Sequence, residues 1–271
     1  MPNTTQNKSN IVIIVSSPIT AKVFLRHQIS ELCKTFDVTL VANFGSNTID
    51  NQYYQWFKGA NKLKNIPIKR NINFFTDIKS LIQLFFFLRS NNFSLIHSYT
   101  PKAGFLSMSS SWLARVPVRI HTFTGQVWVT KEGLLRMLLQ NIDKITSFFA
   151  TSVLVDSSSQ YEFLLKNRII SPKKSQVLGS GSISGVNLEI FKASPIDYKN
   201  IRDKMSINKS SLVILYLGRI NKEKGILELL EAFKHLIKKN DKVFLMLVGD
   251  DEDQLQSSLS VTKNVFWIPQ T

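Results

Sequence analysis

The sequence predicts an α/β fold of two Rossmann-like doubly wound domains, the second of them truncated, and three observations predict it. Short apolar runs of the kind found in strands covered on both faces, such as Ile11–Val15, Val38–Ala42 and Val243–Val248, alternate with longer stretches whose apolar residues recur at helical spacing. The turns after these runs are rich in Ser, Thr, Gly and Pro, the residues that open a helix after a strand. At 271 residues the chain also exceeds one ordinary domain, and a polar stretch containing Pro195 suits a linker. Residues 1–190 are accordingly assigned to a first domain, 191–210 to the linker and 211–271 to the start of a second.

Each element follows in order. Ile11–Val15 is the first strand. Ser16, Ser17 and Pro18 lead into a helix capped by Thr20, with Leu25, Ile29, Leu32 and Phe36 inward, and Val38–Ala42 completes a βαβ opening. A short strand is expected over Ile66–Arg70 and an amphipathic helix from Thr76 and Asp77 through Arg89. Leu95 and Ile96 end a strand with His97 at its carboxyl end, and Thr100, Pro101, Lys102 and Gly104 open the next helix. A histidine at such a place is either a ligand-binding group or a hydrogen-bonded structural one. Val118–Phe123 is a strand followed by a turn of Thr124, Gly125 and Gln126. The helix Gly133–Phe149 carries Leu134, Leu135, Leu138, Ile142, Ile145 and Phe149 as a stripe expected to face the core. After the strand Val153–Val155, Asp156 and the serines behind it cap a helix near Gln160. A last strand of this domain precedes a loop holding Gly179, Gly181 and Gly185.

In the second domain Val213, Ile214, Leu215 and Leu217 form a strand covered on both faces, and Ile226, Leu229, Leu230, Phe233 and Ile237 recur at helical spacing. Arg219 and Lys224 occupy the turn between them. Ligands of open α/β sheets lie outside the carboxyl ends of the strands, where helix N-termini favour an anion. The two cations are therefore either a clamp for a diphosphate or an ordinary solvated helix start. Val243–Val248 ends at a similar place, Gly249-Asp250, before a helix over 251–259 and a strand over Val265–Ile268.

Composition bounds the partners. Lys and Arg number 34 against 19 Asp and Glu, a formal charge of +15, so something negative is attracted: nucleic acid, anionic lipid or a phosphorylated ligand. No RNP, helix-turn-helix or zinc signature accompanies the charge, which argues against nucleic acid. The lone Cys33 excludes an internal disulfide and a cysteine zinc cluster, and its place beside Leu25, Ile29 and Leu32 suits a core. The first ten residues lack a secretory signal, and no apolar run approaches the roughly 18 residues of a membrane span. The densest run holds Phe85, Phe86 and Phe87, read as core cover for a sheet, the other reading being an interfacial face beside Lys79 and Arg89. No GxGxxG is present, which weakens a dinucleotide-dependent dehydrogenase.

The segment GRINKEKGILELLEAF resembles the one with which retaining glycosyltransferases of family 4, built on the GT-B fold, grip the donor's pyrophosphate. The resemblance implies that Arg219 and Lys224 bind the donor phosphates and stabilise their departure, with Gly218, Gly249, Asp250 and Ser17 as further donor contacts. HSYTPKAGFLS and VRIHTFTGQVW are similar to the cleft-facing strand ends of bacterial polysaccharide-assembly members. That implies a catalytic His97, with Thr100, Lys102, Thr124, Gly125 and Gln126 on the acceptor side. Gly185, Val186, Asn187 and Phe191 match the family's domain boundary. Two departures stand out: relatives carry a histidine where this chain has Thr124, and the family's Glu-x7-Glu signature has no counterpart. Roughly 60 residues follow Ser210, whereas a full Rossmann-like half needs on the order of 150, so a C-terminally incomplete second domain is expected.

The implied activity is transfer of a sugar from a nucleotide diphosphate donor to a lipid-linked or saccharide acceptor, with retention, in lipopolysaccharide or capsule synthesis. The nucleotide-sugar is a substrate, with no cofactor or metal expected. A cytoplasmic location is implied, with peripheral contact to the anionic inner face of the plasma membrane. The alternative is a catalytically inert fragment that serves as a binding module.

Overall fold

The computed structural model describes residues 8–46, 48–69, 73–192, 201–208, 210–255 and 262–269. The chain divides into two units, Met1–Val186 and Asn187–Thr271.

The first unit is a seven-stranded, all-parallel sheet of order β3-β2-β1-β4-β5-β6-β7: β1 Asn10–Ile14, β2 Asp37–Ala42, β3 Lys62–Asn65, β4 Leu95–Tyr99, β5 Val118–Phe123, β6 Ser152–Val155 and β7 Ser175–Val177. The order reverses between β1 and β4, the switch point at which open α/β sheets leave a crevice. Side chains alternate across β1, so Ile11, Ile13 and Val15 join the core on one face with Leu25, Ile29 and Val38. Val12 and Ile14 join the other with Leu84, Ile96, Phe123 and Val153. Burial on both faces is what the unbroken apolar runs require.

Local chemistry sets the helix starts, in two places differently from expectation. Ser17, not Thr20, caps the first helix, α1 (Pro18–Thr20): its Oγ accepts from Ile19 N at 3.2 Å and Pro18 takes the first helical position, where a missing N–H costs nothing. A π-helical turn (Ala21–Leu25) and α2 (Arg26–Thr35) continue it. After the short α3 (Asn51–Trp56), the expected strand over Ile66–Arg70 falls instead at Lys62–Asn65, with Ile66 and Ile68 buried just beyond it and Arg70 outside the described residues. Helix α4 (Phe74–Ser90) starts earlier than predicted because Asn73 caps it, its Oδ1 accepting from Thr76 N while Asp77 accepts from Asn73 N, each at 3.1 Å. Phe87 is buried and Phe85 packs on the core, whereas Phe86 is exposed.

Helix α5 (Pro101–Leu113) follows β4, and α7 (Ser158–Lys166) is capped by Ser157, whose Oγ accepts from Gln160 N at 3.1 Å. The largest departure is α6 (Gly133–Phe149). Its buried residues are Asp143, Thr146 and Ser147, while Leu134, Leu135, Leu138 and Ile145 of the expected core stripe are exposed and Ile142 and Phe149 are half-buried. The buried indole of Trp128 donates to Asp143 Oδ2 at 2.8 Å, which turns the polar side of the helix inward.

In the second unit β8 (Leu212–Leu217), β9 (Val243–Val248) and β10 (Val265–Ile268) form a parallel sheet of order β10-β9-β8, and α8 (Ile226–Lys239) covers one face through Ile226, Leu230 and Phe233. Here β8 is an edge strand. Leu215 and Leu217 are exposed, which corrects the expectation of a strand covered on both faces. The expected helix over 251–259 falls partly outside the described residues, and residues 251–255 are not helical because Asp251 bridges to Ile220.

Candidate functional site

The strand-turn-helix of the second unit is built by close backbone approach. Gly218 N donates to Val248 O at 2.9 Å, and a Cβ on Gly249 would lie 2.0 Å from Gly218 O, so only glycine lets the carboxyl ends of β8 and β9 come this near. Ile220 N donates to Asp250 O at 2.8 Å and Glu252 N to Ile220 O at 3.1 Å, which carries the loop after β9 alongside the turn after β8. Asn221 then caps a 3-10 turn, Lys222–Lys224, accepting from Lys224 N at 3.0 Å, and Gly225 in the left-handed region (φ 76°) turns the chain into α8.

Side chains converge on one carboxylate that sequence reasoning missed. Glu252 accepts from Arg219 Nη1 through both oxygens, at 3.2 and 3.0 Å, and from Asn221 Nδ2 at 2.8 Å. Asp253 takes Lys222 N at 2.8 Å. Gly218, Arg219, Gly249 and Asp250 are thus brought together, and Lys224 stands on the following turn. Arg219 and Lys224 are both exposed, and the Lys224 ammonium makes no ion pair among the described residues. Arg219 meets Glu252 through Nη1, and a guanidinium carries further donors with which an anion can be bound. The missed signal was the run Asp250–Asp253, four carboxylates directly after a predicted strand end.

The first unit orders its expected site residues differently. Thr100 Oγ1 and Ser16 Oγ lie 2.6 Å apart, tying the carboxyl ends of β1 and β4, and Thr100 holds φ 68°, ψ 143°, a backbone that L-residues avoid. Ser17 is the neighbouring helix cap. Thr124 and Gly125 are exposed beyond β5, and Gln126 Oε1 accepts from Gln160 Nε2 at 3.4 Å. The Lys102 ammonium pairs with Asp77 on α4 at 2.6 Å, both side chains largely buried, which fastens α5 to α4.

His97 lies deeper than its expected place at a strand end. Because β4 runs on to Tyr99, His97 stands in mid-strand, in register with Ile13 and Ile120. Its Nε2 is 2.8 Å from Thr122 Oγ1 and its Nδ1 is 3.0 Å from Tyr99 OH, which itself donates to Gln28 Oε1 at 3.0 Å. Both ring nitrogens are committed inside the fold. Burial, reinforced by His121, lowers its pKa to about 3, so the ring is neutral at physiological pH. On the opposite face His121 Nδ1 is 2.8 Å from Ser98 Oγ, and burial lowers its pKa to about 3 as well. Asp156, read as part of a cap, leaves that task to Ser157; burial raises its own carboxyl above the usual range.

Comparison with known proteins agrees with this architecture. Residues 197–271 match the family described as Glycosyl transferases group 1. The chain is 32% identical over 190 residues, 70% of its length and 49% of the relative's, to the capsular polysaccharide biosynthesis glycosyltransferase CapM of Staphylococcus aureus. It is 29% identical over 188 residues, 68% of its length and 47% of the relative's, to the Escherichia coli UDP-Gal:alpha-D-GlcNAc-diphosphoundecaprenol alpha-1,3-galactosyltransferase. The chain spans about half the length of these relatives. Among solved structures, Anabaena Alr3699/HepE in complex with UDP and glucose superposes with a TM-score of 0.70 at 14% identity, over 96% of this chain and 68% of that one. Residues 197–271 therefore carry a glycosyl transferases group 1 domain, about 190 residues of the chain are homologous to bacterial polysaccharide-synthesis glycosyltransferases, and the fold is that of GT-B structures.

Proposed function

We propose that this protein transfers a hexose from a nucleotide diphosphate donor to a lipid-linked saccharide acceptor in surface polysaccharide synthesis, with retention of anomeric configuration. One observation carries the reading: Arg219 projects from the carboxyl end of β8 beside Gly218 and Gly249, where an anion meets both a guanidinium and the turn that starts α8. Departure of a nucleoside diphosphate leaves negative charge on the β-phosphate. Cations aimed there stabilise the transition state more than the ground state. Arg219 supplies a planar fork and Lys224 a point charge, and this scheme calls for no metal or cofactor.

UDP in the superposable Anabaena structure and the diphosphoundecaprenol acceptor of the E. coli relative support the substrate classes. Gly218, Gly249 and Asp250 are assigned to the donor. Thr100, Thr124, Gly125 and Gln126 are assigned to the acceptor. The protein acts on the cytoplasmic side, in peripheral contact with the membrane that holds the acceptor.

Trp267 Nε1 donates to Gly249 O at 2.9 Å, so the indole reports on the donor loop. Titration with UDP, GDP and their sugars should change its fluorescence, and Arg219→Ala should weaken the preferred nucleotide at least about tenfold. An Arg219→Ala variant with unaltered binding and transfer rate would remove the proposal. Binding of a nucleotide-sugar with no release of nucleotide to any lipid-linked acceptor would favour a binding module instead.

A further inference from the structure

Residues 124–132 join the carboxyl end of β5 to α6, and they carry Thr124, Gly125 and Gln126. Among these described residues Trp128 alone is buried, Gln126 is half-buried and the rest are exposed. A loop with so little of itself in the core takes its position from the few groups that hold it. Here the hold falls mainly on one side chain.

Trp128 sits in a 3-10 turn, Val127–Thr130, and its ring meets both neighbouring helices. It stacks on Phe163 of α7, with centroids 5.3 Å and planes 16° apart, and the Arg136 guanidinium of α6 lies 5.7 Å from its centroid. Its Nε1 donates to Asp143 Oδ2 at 2.8 Å. Stacked rings can slide over one another, whereas a short, directional hydrogen bond fixes how deep the indole sits and how it is rotated. The turn passes that position along the backbone: Val129 N donates to Gln126 O at 3.3 Å and Lys131 N to Trp128 O at 3.2 Å. A second tie reaches Gln126 from α7, where Gln160 Nε2 donates to Gln126 Oε1 while Gln160 Oε1 accepts from Asp156 N at 2.8 Å. At 3.4 Å the bond between the two amides is the weaker hold.

A carboxylate is a costly choice for the inner side of a helix. Asp143 is buried, which raises its pKa to about 6, and at neutral pH it still carries its charge. An apolar residue would fill the same space without that cost. What the carboxylate adds is direction, because an ionised acceptor binds an N–H more strongly than a neutral one does. Asparagine reproduces the acceptor; alanine does not.

We infer that Asp143 is a positioning residue for the acceptor substrate: by holding the Trp128 indole it sets the turn Thr124–Gln126 at the carboxyl end of β5. Asp143 acts through Trp128 and touches no substrate itself. The inference deepens the proposed sugar transfer and rests on it.

The test follows transfer by the whole chain to a farnesyl-diphosphate-linked N-acetylglucosamine, with the nucleotide-sugar that binds best. Asp143→Ala and Trp128→Phe should each raise the acceptor KM at least about tenfold while kcat changes less than about threefold, and Asp143→Asn should return KM to within about threefold of wild type. Lys174→Met loosens the far end of the same helix, where the ammonium donates to Ala150 O at 2.9 Å, and should leave the acceptor KM unchanged. Affinity for UDP, read at Trp267 in the second unit, should be the same in every variant. Amide exchange at Val129 and Lys131 needs no acceptor, and it should quicken at least about tenfold in Asp143→Ala and Trp128→Phe but not in Asp143→Asn. An unchanged acceptor KM in both disrupting variants, an equal rise in Lys174→Met, no recovery in Asp143→Asn, or unchanged exchange would each overturn the inference. Should the wild type bind no UDP and transfer no sugar, the reading of sugar transfer fails, and the exchange rates still decide whether Asp143 sets the turn.

Discussion

Arg219 Nη1 lies 3.0 Å from Glu252 Oε2, an ion pair between residues 33 positions apart that joins the turn after β8 to the loop after β9. Both side chains are about two-fifths exposed, so the pair adds little stability, within about 1 kcal/mol after solvent screening. Its consequence is for binding: the carboxylate neutralises the cation assigned to the donor phosphates. Glu252→Gln should therefore tighten UDP binding by roughly three- to tenfold while changing the unfolding midpoint little, measured by calorimetry alongside Arg219→Ala. Weaker binding by Glu252→Gln would show that the carboxylate positions the guanidinium more than it competes for it.

A second prediction concerns Gly104 in α5. Glycine to alanine within a helix ordinarily stabilises by up to about 1 kcal/mol. Here a Cβ would lie 2.3 Å from His121 Cε1 and 2.8 Å from Nδ1, and that ring is buried and held by Ser98. The clash should win, and Gly104→Ala should cost about 1–3 kcal/mol in urea unfolding. An unchanged or raised midpoint would mean that the His121 ring yields freely.

The third is a pH profile with a worked sign. His97 and His121 have folded pKa values near 3 against an ordinary 6.5, so between those values the unfolded chain holds more protons and stability falls as pH falls. Asp143 opposes them. Burial raises its pKa to about 6, from 3.8, so between pH 3.8 and 6 the folded state holds more protons and stability rises as pH falls. Asp143→Asn keeps an acceptor for Trp128 but removes the opposing proton. Its stability should therefore drop more steeply than wild type between pH 6 and pH 4, by up to about 1 kcal/mol per pH unit. Parallel denaturation curves for the two proteins across that window would contradict the assignment.

The fourth compares two adjacent lysines. Lys174 serves three carbonyls at the end of α6, and burial lowers its pKa, whereas Lys173 is exposed. Lys174→Met should cost about 1–3 kcal/mol and Lys173→Met less than about 0.5. Equal midpoints for the two variants would remove the capping role.

Much of the fold was legible because its signals are local. Apolar runs such as Ile11–Val15 and Val38–Ala42 lie within a residue of β1 and β2, and the boundaries of α6 match its predicted span. The turn holding Arg219 and Lys224 was also readable, since a strand, a charged turn and an amphipathic helix succeed one another directly in the chain. Helix starts were less so: Ser17 and Asn73 displaced the predicted caps because competition among neighbouring polar residues is settled by backbone geometry.

By itself, then, the sequence determined most of the strands and helices, their alternation, and the large positive surplus, because periodicity and composition belong to neighbours along the chain. The tertiary structure alone decided which way α6 faces, how deep His97 lies and which carboxylate meets Arg219. Each of those depends on a partner remote in sequence: Trp128 with Lys174 for the helix, Thr122 for the histidine and Glu252 for the arginine. A hydrogen bond formed in a buried site outweighs the preference that a side chain's polarity expresses locally.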